Sequence, residues 1–300
     1  MRVLIFDLLA ERSEFGHGGN LQMIKHLTNN LSELDVFLVT PQYQDTNSLI
    51  TKNLTFSAAE RISQPLWNNT TKFESSFSEI VGETSVNFTR INMPVGEISE
   101  LSNWLRINQI SCVFCSGSRM NISEPEIWMD SAKKLILGII EAKVPFLGIC
   151  FGHQLLSNAL GCKVERSESR TDIMCKLELT KLGLKDPLFS ELIINDLGPT
   201  TLFTHQDHVR NLIQNNRIKL NLLGVTPHCE FAAVRISIDD EMLPIWGVQF
   251  HPEATNSMIV KSYELGDLTY EEKELFNNEH DGNEILKNFC SVVVGMINLS

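Results

Sequence analysis

The sequence predicts an α/β fold with a mostly parallel central sheet flanked by helices and a smaller antiparallel β portion in the second half. In the first half, short apolar runs typical of buried strands alternate with helical patterns. In the second half, β-like runs follow one another with few helical patterns between them. These runs lie near residues 163–166, 174–180, 201–204, 218–225, 230–238 and 244–250.

The order of elements in the first half predicts parallel strand pairing. Strands are predicted at residues 3–6 and 35–40, and apolar residues between them recur at helical spacing, which gives a β-α-β unit. Such a unit has parallel strands and a right-handed crossover. The alternation then continues with predicted helices near 97–108, 125–141 and 151–160, strands at 110–115 and 144–149, and a closing helix near 282–296.

We interpret residues 1–300 as one domain that carries two insertions. The first, at about 42–96, is rich in Asn, Thr and Ser, and its hydrophobic periodicity fades. The second, at about 255–280, is acidic. A long segment without regular patterning in a compact domain is usually functional or mobile.

Composition and charge exclude several classes of partner. The net charge of −12 argues against a nucleic-acid binder, which needs a basic surface. No apolar run approaches the roughly 20 residues that span a bilayer, and the first residues do not form a signal peptide. Seven cysteines without a secretion signal indicate free thiols in a reducing compartment, so we expect a cytoplasmic location. No motif predicts a metal or a cofactor, because the Cys112–Cys115 pair lies in an apolar run without a second pair.

Residues 148–154 carry the strongest chemical signal in the chain. They read G-I-C-F-G-H-Q and join a predicted strand to a predicted helix. A G-x-C-x-G pattern in this context indicates a nucleophile elbow, a tight turn that presents one reactive side chain. The helix that follows directs its free N–H groups at Cys150, which favours the thiolate. The alternative is an unreactive cysteine buried in an α/β core.

A partner for this cysteine is predicted at the end of a later strand. Residues 247–253 read G-V-Q-F-H-P-E, which places His251 directly after an apolar run and Glu253 two residues further on. A cysteine nucleophile needs a base, usually a histidine that a third group orients. The alternative for His251 by itself is a solvated or capping histidine at a strand end.

The two blocks together resemble the class I, triad-type glutamine amidotransferase family, which implies a flavodoxin-like fold. Residues 113–118 are similar to the strand and loop that carry part of the family's oxyanion hole. Residues 204–209, T-H-Q-D-H-V, and the closing segment 281–289 resemble the branch that contains the GMP synthetase amidotransferase. The resemblance covers most of the chain except 42–96 and about 255–280.

The resemblance implies a role for individual residues of this chain. Cys150 would attack the side-chain amide of glutamine to form a thioester, His251 would move the proton, and Glu253 would orient His251. The backbone N–H groups of Phe151 and Gly117 would form the oxyanion hole. The residues implied in substrate binding are Gln154, Ser118, Thr204, His205 and Gln206. No cofactor is implied, and the ammonia would pass to an ATP-dependent synthetase or ligase on a separate chain, because no such domain follows.

One loop departs from the family pattern. The family's oxyanion loop is commonly Gly-Gly-Pro followed by a small residue, whereas this chain has S-G-S-R at residues 116–119. Arg119 is therefore a candidate partner for a carboxylate on a substrate other than free glutamine, and the alternative is a solvated surface arginine. Two alternatives to an amidotransferase that serves a synthetase stay open: a stand-alone γ-glutamyl hydrolase or peptidase on the same scaffold, and a non-catalytic binding protein that kept the fold.

Overall fold

A computed structural model of the chain describes residues 1–10, 13–29, 31–42, 76–192, 198–211, 217–264, 266, 268–276 and 278–299. The strands are β1 (Arg2–Phe6), β2 (Glu33–Val39), β3 (Ser76–Val81), β4 (Thr84–Ile91), β5 (Ile110–Cys115), β6 (Phe146–Ile149), β7 (Val164–Lys176), β8 (Glu178–Leu179), β9 (Thr200–Val209), β10 (Ile218–Thr226), β11 (Cys229–Ile238) and β12 (Glu241–Val248). The helices are α1 (Gly19–Ile24), α2 (Ile98–Ile107), α3 (Ile127–Ala142), α4 (Phe151–Ala159), α5 (Asn256–Glu264), α6 (Tyr270–Leu275) and α7 (Gly282–Leu299).

Ten of the described strands form one sheet, in the order β3-β4-β2-β1-β5-β6-β12-β11-β10-β8. The neighbours from β4 to β12 pair in parallel, whereas β3 at one edge and β11, β10 and β8 at the other pair antiparallel. Strands β7 and β9 form a separate two-stranded antiparallel sheet. This arrangement confirms the predicted fold class.

Residues 76–91, which the sequence analysis placed within an insertion, belong to the central sheet. Strand β4 pairs in parallel with β2 from Ser85 to Ile91, and the side chains of Val86 and Phe88 are fully buried. Polar residues alternate with these apolar ones along β4, so its hydrophobic pattern has a period of two rather than the continuous apolar run of the other parallel strands. Residues 43–75 of the predicted insertion lie outside the described residues.

The acidic segment at 255–280 contains helices α5 and α6. Thr269 caps α6, because its hydroxyl accepts from the Glu272 amide while the Glu272 carboxylate accepts from the Thr269 amide. Ile259 and Phe276 are buried against Leu202 on β9. The segment therefore packs on the two-stranded sheet. The interpretation of the chain as one domain stays a prediction.

Buried side chains pack on both faces of the large sheet. On one face α7 packs Phe289 edge-on against Phe114 of β5 and Trp246 of β12. On the other face α3 and α4 bury apolar side chains against β5, β6 and β12. Within the described residues, no helix is long and apolar enough to cross a membrane.

A buried ion pair links the end of β1 to β4 across the intervening strand β2. Arg90 Nη1 donates to Asp7 Oδ2 at 2.7 Å, and both side chains are 1% exposed. Asn20 Nδ2 donates to the other carboxylate oxygen at 3.0 Å, which ties the start of α1 to the same point. Both partners of such a pair are needed for stability, because the loss of one leaves the other charge buried without a partner.

We therefore expect Asp7→Ala to lower the free energy of unfolding by about 3–5 kcal/mol, measured by urea denaturation. The matched control is Glu241→Gln, which removes a carboxylate from the exposed Lys143–Glu241 pair and should change stability by less than about 1 kcal/mol. Equal effects of the two substitutions would contradict a structural role for the buried pair.

Candidate active site

Cys150 occupies a sharp turn between strand β6 and helix α4. Its backbone has φ 51° and ψ −102°, a conformation that costs a non-glycine residue on the order of 1–3 kcal/mol. The turn is held from both sides: the Cys150 amide donates to the Val248 carbonyl at 2.8 Å, and the Gln154 amide donates to the Cys150 carbonyl at 3.0 Å. Cys150 thus lies at the N-terminus of α4, where the helix dipole favours a negative charge.

The glycines on either side of Cys150 are sterically required. A Cβ atom on Gly152 would lie 2.3 Å from the Cys115 carbonyl oxygen of β5, and one on Gly148 would lie 2.6 Å from the Gly152 carbonyl oxygen. Neither neighbour can move without displacing a strand or the first turn of α4. The G-x-C-x-G spacing is therefore a packing requirement of the turn.

His251 and Glu253 form a hydrogen-bonded pair beside this turn. His251 Nδ1 lies 2.8 Å from Glu253 Oε1, and both side chains are buried. The His251 amide donates to the Leu202 carbonyl at 2.8 Å, which fixes the residue against β9. Because Nδ1 bonds the carboxylate, Nε2 is the ring nitrogen available to the thiol.

The electrostatics of the pair favour a protonated imidazole. Burial by itself lowers the pKa of His251, but the Coulombic interactions with Glu253 and Cys150 and the hydrogen bonds to both side chains outweigh it. The result is a pKa of His251 well above its usual value. A protonated imidazole beside a cysteine is placed to stabilise negative charge on the sulfur and to donate a proton to a leaving group.

The loop after β5 lies against the ring of His251. A Cβ atom on Gly117 would be 2.9 Å from His251 Cε1. Ser116 ties this loop to the end of β1, because its hydroxyl donates to the Phe6 carbonyl at 2.9 Å and accepts from the Leu8 amide at 3.0 Å. The serine that departs from the family pattern thus anchors the loop through its side chain.

Strand β9 supplies the opposite wall of the site. The Cys150 thiol lies 3.8 Å from the Thr204 carbonyl oxygen, to which it donates. The Asp207 carbonyl accepts from Gln154 Nε2 at 2.8 Å and from His205 Nδ1 at 3.0 Å. Gln154 Nε2 also donates to Gln249 at 3.1 Å, which leaves the Gln154 carbonyl oxygen as an acceptor.

These residues surround a cleft of about 360 Å³, near the lower end of the range for small-molecule sites. The structure brings Cys150, His251, Phe151, Ser118, Gln154, Thr204, His205 and Gln206 to this cleft. Glu253 lies behind His251, and Gly117 contacts the imidazole. Every residue predicted for the site therefore lies in the cleft or in contact with a residue that lines it.

Several residues of the cleft were not singled out from the sequence. Arg166 and Arg170 reach it from β7: Arg166 donates to Gln206 at 3.1 Å and Arg170 to Thr204 Oγ1 at 2.6 Å. Ile259 and Phe276 line it from the acidic segment. No sequence motif includes these residues. They come close to Cys150 only through the packing of β7, α5 and α6, which the sequence pattern does not predict.

The fold and the site together define a class of protein, an α/β protein with a cysteine at a nucleophile elbow and a His–Glu pair beside it. The sequence model of the "Glutamine amidotransferase class-I" family matches residues 69–263, which is more than half of the chain. The chain belongs to the class I glutamine amidotransferase family.

Curated relatives agree with this membership. The chain is 29% identical over 164 residues to a glutamine-hydrolyzing GMP synthase subunit of Methanocaldococcus jannaschii, covering 55% of this chain and 68% of that protein. It is 33% identical over 125 residues to the glutamine-hydrolyzing GMP synthase of Pseudomonas entomophila, covering 40% of this chain but only 22% of that protein.

A solved structure shows the same fold. The glutamine amidotransferase of Methylobacillus flagellatus is similar with a TM-score of 0.50 at 18% sequence identity. The alignment covers 69% of this chain and 84% of that one.

We expect Gly117→Ala to lower kcat for glutamine hydrolysis by about 10²-fold, because the added methyl group displaces the His251 ring while the loop amide is kept. The control is Gly295→Ala, since a Cβ at that helical position meets no atom within 4 Å. A folded Gly117→Ala protein with unchanged kcat would contradict the close contact between the loop and the imidazole.

We expect Glu253→Gln to lower kcat by about 10²–10⁴-fold and to move the alkaline limb of the kcat/KM profile to lower pH. The sign follows from the pKa of His251, which the Glu253 charge raises, so that the imidazolium persists to higher pH when the carboxylate is present. The control is Glu264→Gln, an exposed carboxylate on α5. An alkaline limb that stays in place would show that Glu253 does not set the protonation of His251.

Proposed function

We propose that the protein hydrolyses the side-chain amide of glutamine through a thioester on Cys150. The observation that carries this proposal is the strained elbow at Cys150 beside the bonded His251–Glu253 pair, at the wall of one cleft. The Cys150 sulfur attacks the amide carbon, and His251 gives the leaving nitrogen the proton that releases ammonia. Water then attacks the thioester and gives a proton to His251, and cleavage of the carbon–sulfur bond releases glutamate and regenerates Cys150.

The oxyanion that forms in both steps needs preorganised donors. The Phe151 amide is the first of α4 and follows the nucleophile directly, as a nucleophile elbow requires. We assign the second donor to the Gly117 amide, because this loop touches His251 and Ser116 holds it to β1. Loss of one such donor typically costs about 10²–10³ in kcat.

We propose that the remaining lining residues hold the amino-acid end of glutamine. Gln154 offers its carbonyl oxygen, since its amide nitrogen is occupied by Asp207 and Gln249. Ser118, Thr204, His205 and Gln206 complete the wall. Arg170 donates to Thr204 Oγ1 and pairs with Asp172 at 3.3 Å, and we assign it to the substrate carboxylate, which would compete with Asp172 for the guanidinium group.

We propose that the ammonia is used by an ATP-dependent synthetase or ligase on a separate chain in the cytoplasm. The support is the relative from Methanocaldococcus jannaschii, whose name describes a glutamine-hydrolyzing part of a synthase. The aligned part of the Pseudomonas entomophila protein is about a fifth of its length, in agreement with a glutaminase that works with a larger synthetic unit.

A second candidate function is γ-glutamyl hydrolysis without a partner. The observation that favours it is the presence of three arginines in the cleft lining, Arg119, Arg166 and Arg170. A γ-glutamyl peptide carries a second carboxylate on its leaving group, which would compete with Glu124 for Arg166 and with Asp172 for Arg170.

Labelling with the glutamine analogue 6-diazo-5-oxo-norleucine tests the proposal. We expect intact-protein mass spectrometry to show one adduct on the wild type and on Cys175→Ser, and none on Cys150→Ser. The control cysteine is half-buried and lies outside the cleft lining. Turnover of glutamine should exceed that of a γ-glutamyl dipeptide at equal concentration. An unlabelled wild type would contradict glutamine hydrolysis, and turnover of the γ-glutamyl dipeptide in its place would favour the hydrolase.

A further inference from the structure

Three potential metal ligands meet behind the proposed glutamine site. One ring nitrogen each from His205 and His208 and the Cys229 sulfur lie within 4.8 Å of one another. All three side chains are buried, at 5%, 6% and 4% exposure. The two histidines come from β9, their rings in edge contact with centroids 4.5 Å apart, and the cysteine is the first residue of β11. The fold thus brings two imidazole nitrogens and one sulfur from two strands to one point.

The hydrogen bonding of His205 leaves one nitrogen for a ligand. Its Nδ1 lies 3.0 Å from the Asp207 carbonyl oxygen, so Nδ1 carries the proton and Nε2 carries the lone pair. Among the described residues this buried Nε2 has no hydrogen-bond partner. A histidine that donates through one nitrogen to a backbone carbonyl and keeps the other free is the usual arrangement of a metal ligand.

The turn before β11 fixes the position of the third ligand. The Cys229 amide donates to the Thr226 hydroxyl at 3.0 Å, and the His228 amide approaches the same oxygen at 3.3 Å. The sulfur is thereby held at the start of β11 rather than on a free loop. A preorganised ligand costs less conformational entropy when the ion binds.

The donor set selects the kind of ion. Two imidazoles and one thiolate suit Zn²⁺, whereas Mg²⁺ and Ca²⁺ require oxygen ligands. In a tetrahedral zinc site two nitrogens and a sulfur are about 3.3–3.6 Å apart, so the present separations close by side-chain shifts of about 1 Å or less. Water would take the fourth position.

We propose that His205, His208 and Cys229 form a zinc site. The site adjoins the proposed glutamine-binding wall, because the Asp207 carbonyl that orients His205 also accepts from Gln154. It uses neither Cys150 nor His251. The proposal does not depend on the proposed function, since it concerns the binding of an ion and not the hydrolysis of an amide.

Cobalt substitution tests this site in the full chain. The background is Cys150→Ser, so that the nucleophile and His251 cannot hold the ion together. We expect one equivalent of Co²⁺ to give a thiolate-to-cobalt charge-transfer band and strong tetrahedral visible bands, which Zn²⁺ abolishes by displacement. Zn²⁺ should also raise Tm, because it binds the folded protein preferentially.

Two further variants in the same background identify the ligands. Cys229→Ser should remove the charge-transfer band, and His208→Gln should weaken cobalt binding by about 10-fold or more. Cys175→Ser, which removes a neighbouring half-buried thiol, should retain the full spectrum. No band in the Cys150→Ser protein, or an unchanged spectrum in folded His208→Gln and Cys229→Ser proteins, would overturn the proposal.

Discussion

The close approach of helix α4 to strand β5 is the constraint on which the rest of the site depends. Gly152 packs so tightly on the Cys115 carbonyl that no side chain fits between them. The chain must therefore leave β6 and enter α4 within one residue, and Cys150 takes the strained conformation that makes this turn. The strained conformation is maintained because the Cys150 amide donates a hydrogen bond to the Val248 carbonyl at the end of β12. The reactive side chain is presented as a consequence of how the core packs.

Strand β9 couples this turn to the substrate side. The Thr204 carbonyl accepts from the thiol, the Leu202 carbonyl accepts from the His251 amide, and the Asp207 carbonyl accepts from Gln154. Backbone acceptors from one strand thus position three side chains of the site. Because β9 belongs to the small sheet and not to the large one, the site is the junction between the two sheets. A shift of β9 would move the nucleophile's environment and the substrate wall together.

Local patterns carried enough information to predict the chemistry of the site. The glycines at 148 and 152 are required by close packing around Cys150, and the pattern they form is contained in five consecutive residues. His251 and its partner Glu253 are likewise only two residues apart. The parallel strands were predictable because they are buried on both faces and read as apolar runs. Strand β4 was not, since its outward positions are polar. The Asp7–Arg90 ion pair was equally hidden, because its partners are 83 residues apart and meet only through strand order.

The charged residues of the cleft also could not be predicted from local sequence patterns. Arg166 and Arg170 sit on β7, and they face Gln206 and Thr204 because β7 pairs antiparallel with β9 in a register that shifts between Arg166 and Thr171. An irregularity of this kind changes which side chains of a strand share a face. It brings two guanidinium groups to one side of the cleft in a chain whose net charge is −12. Glu124 and Asp172 pair with these guanidinium groups, so the register of β7 places paired charges beside the cleft, which the overall composition does not predict.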